Sequence, residues 1–188
     1  MEVFLSTLLL TALTQIGDRT QILVAALSIR FPNRAALIAG CAIATAINCV
    51  LAAYAGRLVS EWINNDARIL FYALALIFAG IGMLAWRRPI DLLENWPSGA
   101  FLTIFAGLFI VQLGDKGQFI IGATAARDGA AEFAMVGGWC GVMMALLPAI
   151  MWQEELARML PIKTIRKIGG YGFLIGGIYF ALKAWRII

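Results

Sequence analysis

Two aspartates stand where an apolar helix has no ordinary use for them. Asp18 lies in Gln15-Ile16-Gly17-Asp18-Arg19-Thr20-Gln21, and Asp115 lies in Gln112-Leu113-Gly114-Asp115-Lys116-Gly117-Gln118. Both segments sit near the middle of long apolar stretches. A carboxylate at the bilayer centre costs about 2.5–3.5 kcal/mol on insertion scales, and such residues face a bundle interior or a watery cavity. The segments match as Q-[IL]-G-D-[RK]-x-Q, the second 97 positions after the first, and the same offset carries Arg30 onto Arg127 and Gly40 onto Gly137. At about 100° per residue, Thr11, Thr14, Gln15, Asp18 and Gln21 share one arc of a helix. Gln112, Asp115 and Gln118 share the corresponding arc of another. Each helix therefore offers a polar stripe with one carboxylate, and Gly17 and Gly114 permit close approach or local unwinding. Two chemistries follow. The stripes line an ion pathway, which is the reading preferred, or they form a clamp in which Asp18 pairs with Lys116 and Asp115 with Arg19.

The elements that must position these residues are membrane helices. The chain has 188 residues, 62% hydrophobic and 14% charged, against roughly 25% charged in a soluble domain. A span needs about 20 apolar residues. The fold expected is an all-α membrane protein of about six transmembrane helices, placed at 3–29, 35–57, 67–86, 99–126, 131–152 and 168–186. The 97-residue offset divides residues 1–188, a single transmembrane domain, into repeat 1 at about 1–88 and repeat 2 at about 98–188. Three helices per repeat is an odd number, so the second enters the membrane upside down, the inverted-repeat plan of many secondary transporters. The polar segment 153–167 is expected to hold a short interfacial helix before Pro161.

Composition excludes several functions. The net charge of +4 is assigned to residues flanking the spans, so no nucleic-acid partner is expected. The chain has no histidine, which argues against His-ligated haem, zinc or copper. With no nucleophile motif and little sequence outside the spans, it is not read as an enzyme, and no cofactor is expected. Cys41, Cys49 and Cys140 lie in apolar stretches with no paired spacing, so they are read as packing residues. Residues 1–14 lack the basic start of a signal peptide. Gly137 with Gly141 and Gly172 with Gly176 read as close-packing pairs. Thr45 and Asn48 are assigned to interhelical packing, with lining of the same cavity as the alternative.

The doubled G-D-[KR] motif in a six-helix repeat protein resembles the Gdt family of membrane cation exchangers, and the resemblance spans essentially the whole chain. It implies export of Mn²⁺ or Ca²⁺ in exchange for protons, by alternating access. The lipid bilayer, a divalent cation and the proton are then the partners, with a homo-oligomer left open and the bacterial inner membrane as the location. The family pattern is E-x-G-D-[KR]-[ST]. This chain keeps Gly17, Asp18, Arg19, Thr20, Gly114, Asp115 and Lys116, but has Gln15 and Gln112 for Glu, and Gly117 for Ser or Thr. Asp18 and Asp115 are implied as charged cation ligands and proton acceptors, and Gln15 and Gln112 as neutral ligands. Arg19 and Lys116 would tune the field or stabilise the empty site. Affinity for hard cations rises with carboxylate count, and Gln carries no proton. An altered substrate, or an interaction subunit that does not transport, is therefore the rival reading.

Basic residues also set orientation. Loops after the first, third and fifth helices hold eight Lys or Arg, and the other side holds five. The bias places the odd loops in the cytoplasm and both termini outside. Cysteines introduced at Asn33 and Asn95 should resist an impermeant reagent applied to intact cells, while one at Asn65 should react. The reverse pattern overturns the orientation.

Overall fold

The computed structural model describes residues 1–85, 91–93, 96–153 and 155–187. Among them the helices, in chain order, are α1 (Glu2–Gln15), α2 (Arg19–Arg30), α3 (Arg34–Trp62), α4 (Asn65–Leu84), α5 (Ala100–Gln112), α6 (Lys116–Asp128), α7 (Ala131–Trp152), α8 (Glu155–Met159) and α9 (Ile162–Ala184). Trp86, the pair Arg87-Arg88, and Glu94-Asn95, on which part of the loop reading rests, lie outside the described residues.

The main correction concerns the stretches 3–29 and 99–126, expected as continuous helices. Each is two helices, broken at the repeated motif, and α5 and α6 meet at 63°. The break has a local cause. Gly17 and Gly114 take φ of 64° and 75°, a left-handed conformation that glycine adopts without steric cost. The next residues, Asp18 and Asp115, are the N-caps of α2 and α6, a position that favours Asp. Elsewhere the boundaries move less. α3 runs on to Trp62, α8 is the short helix expected before Pro161, and α9 begins at Ile162, well before 168.

By length and composition α3, α4 and α7 can each cross a membrane, and the bent pair α5–α6 is apolar enough to make a fourth span if it crosses as one; α1 is a shorter apolar helix. The outer surface is apolar. Leu9, Phe78, Met144 and Ile175 are each more than half exposed, while Thr7, Thr11, Thr14, Gln15, Asn48, Gln112 and Thr124 are buried. That distribution inverts the soluble pattern and suits a surface covered by lipid. Buried threonines of α1 satisfy themselves locally: Thr7 donates to Val3 O at 2.6 Å, Thr11 to Thr7 O at 2.7 Å and Thr14 to Thr11 O at 2.8 Å.

The packing repeats itself at the 97-residue offset. A Cβ built on Gly40 of α3 would lie 2.8 Å from the Phe101 carbonyl of α5, and one on Gly137 of α7 would overlap the Phe4 carbonyl of α1. Gly137 and Phe101 are the offset equivalents of Gly40 and Phe4. Likewise a Cβ on Gly80 of α4 would meet Gly170 O of α9 at 2.8 Å, and one on Gly177 would meet Ala73 O at 3.0 Å. Contacts in which i meets j and the equivalent of j meets that of i belong to a two-fold relation. Trp139 Nε1 of α7 donates to Ala42 O of α3 at 3.0 Å. These two residues are equivalents of each other, so their contact marks the axis.

Of the glycine pairs expected to pack closely, Gly137 and Gly141 do, against α1. Gly172 and Gly176 do not. A Cβ on Gly172 would meet nothing within 4 Å, and one on Gly176 only Leu76 Cδ1 at 3.7 Å, because the crossing with α4 runs through Gly170 and Gly177 instead. At Gly141 a Cβ would overlap Thr11 Oγ1 and the Leu8 carbonyl, and backbone cannot give way cheaply. Gly141→Ala should therefore lower stability by about 1–3 kcal/mol, read as thermal unfolding in detergent, while Gly172→Ala should leave it unchanged.

Candidate functional site

The two helix breaks meet. Lys116 Nζ lies 2.7 Å from Asp18 Oδ1 and 3.5 Å from Asp115 Oδ1, so carboxylates from both halves of the chain share one ammonium. All three side chains are about nine-tenths buried. Each carboxylate also stands at a helix N-terminus, where the aligned peptide dipoles favour negative charge. Asp115 caps α6 by accepting from Gly117 N at 3.4 Å, whereas Asp18 makes no side-chain cap and turns to the cations. The clamp reading is thus half realised. Asp18 pairs with Lys116, but Arg19 is exposed and makes no ion pair among the described residues.

The glutamines come to the same place. Gln15 Nε2 donates to Asp115 Oδ2 at 3.3 Å, and its Oε1 accepts the Thr20 hydroxyl. Gln112 Nε2 donates to Thr45 Oγ1 at 3.2 Å, and its Oε1 accepts from Asn48 Nδ2 at 3.2 Å. Gln15, Gln112, Asp115, Thr45 and Asn48 line one cavity of about 10 Å³, the room of a single water-sized body. Thr45 and Asn48 therefore belong to the cavity and not only to packing. Among the described residues Asn48 Oδ1 is buried with no hydrogen-bond partner, an open acceptor on a residue that lines the same cavity as Asp115. The donor set is carboxylate, amide and hydroxyl oxygen, the chemistry of hard cations. Among the described residues no group of three or more His, Cys, Asp or Glu stands together, which follows from Gln at positions 15 and 112.

Sequence reasoning missed Arg166. It was counted among the loop cations, but it lies buried on α9. Its guanidinium is 3.9 Å from Asp18 Oδ1 and donates to Gly17 O at 3.2 Å, Gly82 O at 3.3 Å and Met83 O at 2.9 Å. It thereby ties the first break to the last carbonyls of α4, which have no partner inside their own helix. The offset could not reveal it, because its equivalent is Ile69.

Known proteins resemble both halves of the chain. The family described as "Divalent cation/proton antiporter GDT1" matches residues 3–91 and again 100–187. A Vibrio cholerae protein named "Putative manganese exporter" is 31% identical over 182 residues, covering 93% of this chain and 88% of its own. The Oryza sativa "GDT1-like protein 4" is 25% identical over 203 residues, covering 92% of this chain and 70% of its own. The Arabidopsis thaliana "GDT1-like protein 3" is 24% identical over 204 residues, covering 92% and 68%. No solved structure matches the chain.

Removing one partner of a buried charge group leaves the others uncompensated, at about 3–5 kcal/mol. Lys116→Met should therefore lower thermal stability by that order in cation-free buffer. Millimolar Mn²⁺ should restore much of it, by occupying the carboxylates the ammonium has left. A variant as stable as the parent without cation would show that the shared ammonium does not neutralise the pair.

Proposed function

The chain belongs to the GDT1 family of divalent cation/proton antiporters, and on that premise we propose that it exports Mn²⁺ in exchange for protons by alternating access between two inverted repeats. Ca²⁺ is the other cation that the same oxygen set accepts. The observation that carries this reading is the convergence of Asp18 and Asp115, one from each half, on a single cationic nitrogen. A place that holds an ammonium between two carboxylates is built for positive charge.

In this reading Lys116 is a tethered counter-charge that neutralises the carboxylates between transport events. An entering divalent cation takes both carboxylates and displaces the ammonium. Gln15 and Gln112 contribute Oε1 atoms after giving up the Thr20 and Asn48 contacts, and Asn48 Oδ1 is a further oxygen within the cavity. Gln has no proton to exchange, so proton countertransport runs on Asp18 and Asp115 alone. The name of the Vibrio cholerae relative supports manganese as cargo, and the bacterial inner membrane is the location proposed. The charge bias favours termini outside.

One observation favours a second reading, a relative with altered cargo or none. The site has two carboxylates, and Lys116 already engages both. Purified protein in sealed vesicles with a trapped pH dye separates the two. The exchanger takes up Mn²⁺ with opposite proton movement. Asp18→Asn or Asp115→Asn abolishes both fluxes, and Gln15→Glu with Gln112→Glu tightens apparent Mn²⁺ affinity by roughly tenfold or more, since affinity follows ligand charge. No Mn²⁺ flux in the unmodified protein overturns the proposal. Flux that the double Glu variant loses would mark the glutamines as ligands for a different cargo.

A further inference from the structure

The last residue of each motif, Gln21 and Gln118, is not among the cation ligands named above, although Gln118 borders their cavity. Each makes the same two bonds. Gln21 Oε1 accepts the Gly17 N–H at 2.6 Å, and its Nε2 donates to Ala145 O on α7 at 2.7 Å. Gln118 Oε1 accepts the Gly114 N–H at 3.0 Å, and its Nε2 donates to Asn48 O on α3 at 3.4 Å. Ala145 and Asn48 are equivalents at the 97-residue offset. Each glutamine therefore fastens its own helix break to the facing helix of the other half. Capping the freed N–H needs only the amide oxygen, but the bond from Nε2 crosses between the halves.

The two fasteners are not in the same condition. Gln21 and Gly17 are buried, while Gln118 is half-buried and Gly114 exposed. The Gln118 bonds are the longer pair. Gln118 also lines both the site cavity and a wider one of about 180 Å³ between α3, α4 and α6, bordered by Gly56, Phe71 and Gly122.

We propose that Gln21 and Gln118 are paired gate latches, positioning residues that release in turn to open the cation site to opposite faces of the membrane. The present conformation has the Gln21 latch shut and the Gln118 latch drawn toward release. Because each glutamine holds one break to the opposite half, letting go of it frees one broken helix to move while the other stays fixed. The inference rests on the alternating-access reading, and it names the groups that such motion must break.

Cys49 lines the site cavity and is 2% exposed, so it reports access. In a chain carrying Cys41→Ala and Cys140→Ala it is the one remaining thiol. The protein is placed in oriented vesicles, and a charged, impermeant thiol reagent is added to one face at a time. Gln118→Leu should speed Cys49 modification from the face bearing the α6–α7 turn, and Gln21→Leu from the face bearing the α2–α3 turn. Each rise should be about fivefold or more, the population shift expected for the loss of one buried hydrogen bond. Should a Leu variant fail to fold, Asn at the same position keeps the amide and is one methylene too short to hold both bonds. Equal rises from both faces, rises from the same face, or no change would overturn the proposal, since a purely structural role has no sidedness. Labelling requires no metal. Mn²⁺ flux without sidedness removes the latches and leaves the exchanger, whereas sidedness without flux does the reverse.

Discussion

The structure is organised around a buried charge that cannot be left unbalanced. Asp18 and Asp115 share the Lys116 ammonium inside a molecule whose outer surface is apolar. Charges removed from water are costly unless they are paired and further hydrogen-bonded. With lipid outside, the aspartates have nowhere to go but inward, toward each other. Their like charge would drive them apart, so a cation must stand between them. That one requirement fixes which helices meet and how close the two halves come.

It also explains why the helices break where they do. An unbroken helix keeps its N–H groups in its own ladder and offers a ligand only side chains. Breaking it exposes peptide dipoles and unpaired backbone groups at membrane depth, where each needs a partner. The chain supplies one for each kind. Asp115 caps α6, Gln21 and Gln118 take the glycine N–H groups, and Arg166 takes the Gly17 carbonyl. A bend that looks like a defect in two apolar stretches is thus a turn held by named partners, and it places carboxylates where α-helical backbone alone would not.

Much of this was legible in the sequence. A carboxylate repeated within apolar stretches at a constant offset marks the site, and glycine just before it marks a weak point in the helix. The apolar outer surface follows from composition. The breaks themselves were not legible as ends, because α1–α2 and α5–α6 are each separated by only three residues, too few to interrupt an apolar run. Arg166 was hidden by its neighbours. Lys163 and Lys167 make the segment look like a polar loop, and only the fold shows one of three cations turning inward. Nor does sequence show which basic residue after the aspartate turns toward the other half. Arg19 and Lys116 occupy equivalent positions, yet one is exposed and the other buried.

That last difference has a physical reason. The backbone contacts obey the two-fold relation, from Gly40 and Gly137 to the Trp139–Ala42 bond on the axis. Some side-chain departures from it fall at the site. Lys116 stands opposite Arg19, Gly117 opposite Thr20, and Thr45 and Asn48 opposite Val142 and Ala145. A site close to a two-fold axis cannot use both copies of every side chain, because the two equivalent arms would need the same place. One must point away, and the exposed guanidinium of Arg19 does. Gly117 follows the same logic. A Cβ there would lie 3.0 Å from Gln15 Nε2, tighter than ordinary contact, so a threonine like that of the first copy would crowd Gln15 where it reaches Asp115. The second copy gives up its hydroxyl residue so that the first copy's glutamine can reach across. Symmetry builds the scaffold, and its local failure makes one site out of two equivalent motifs.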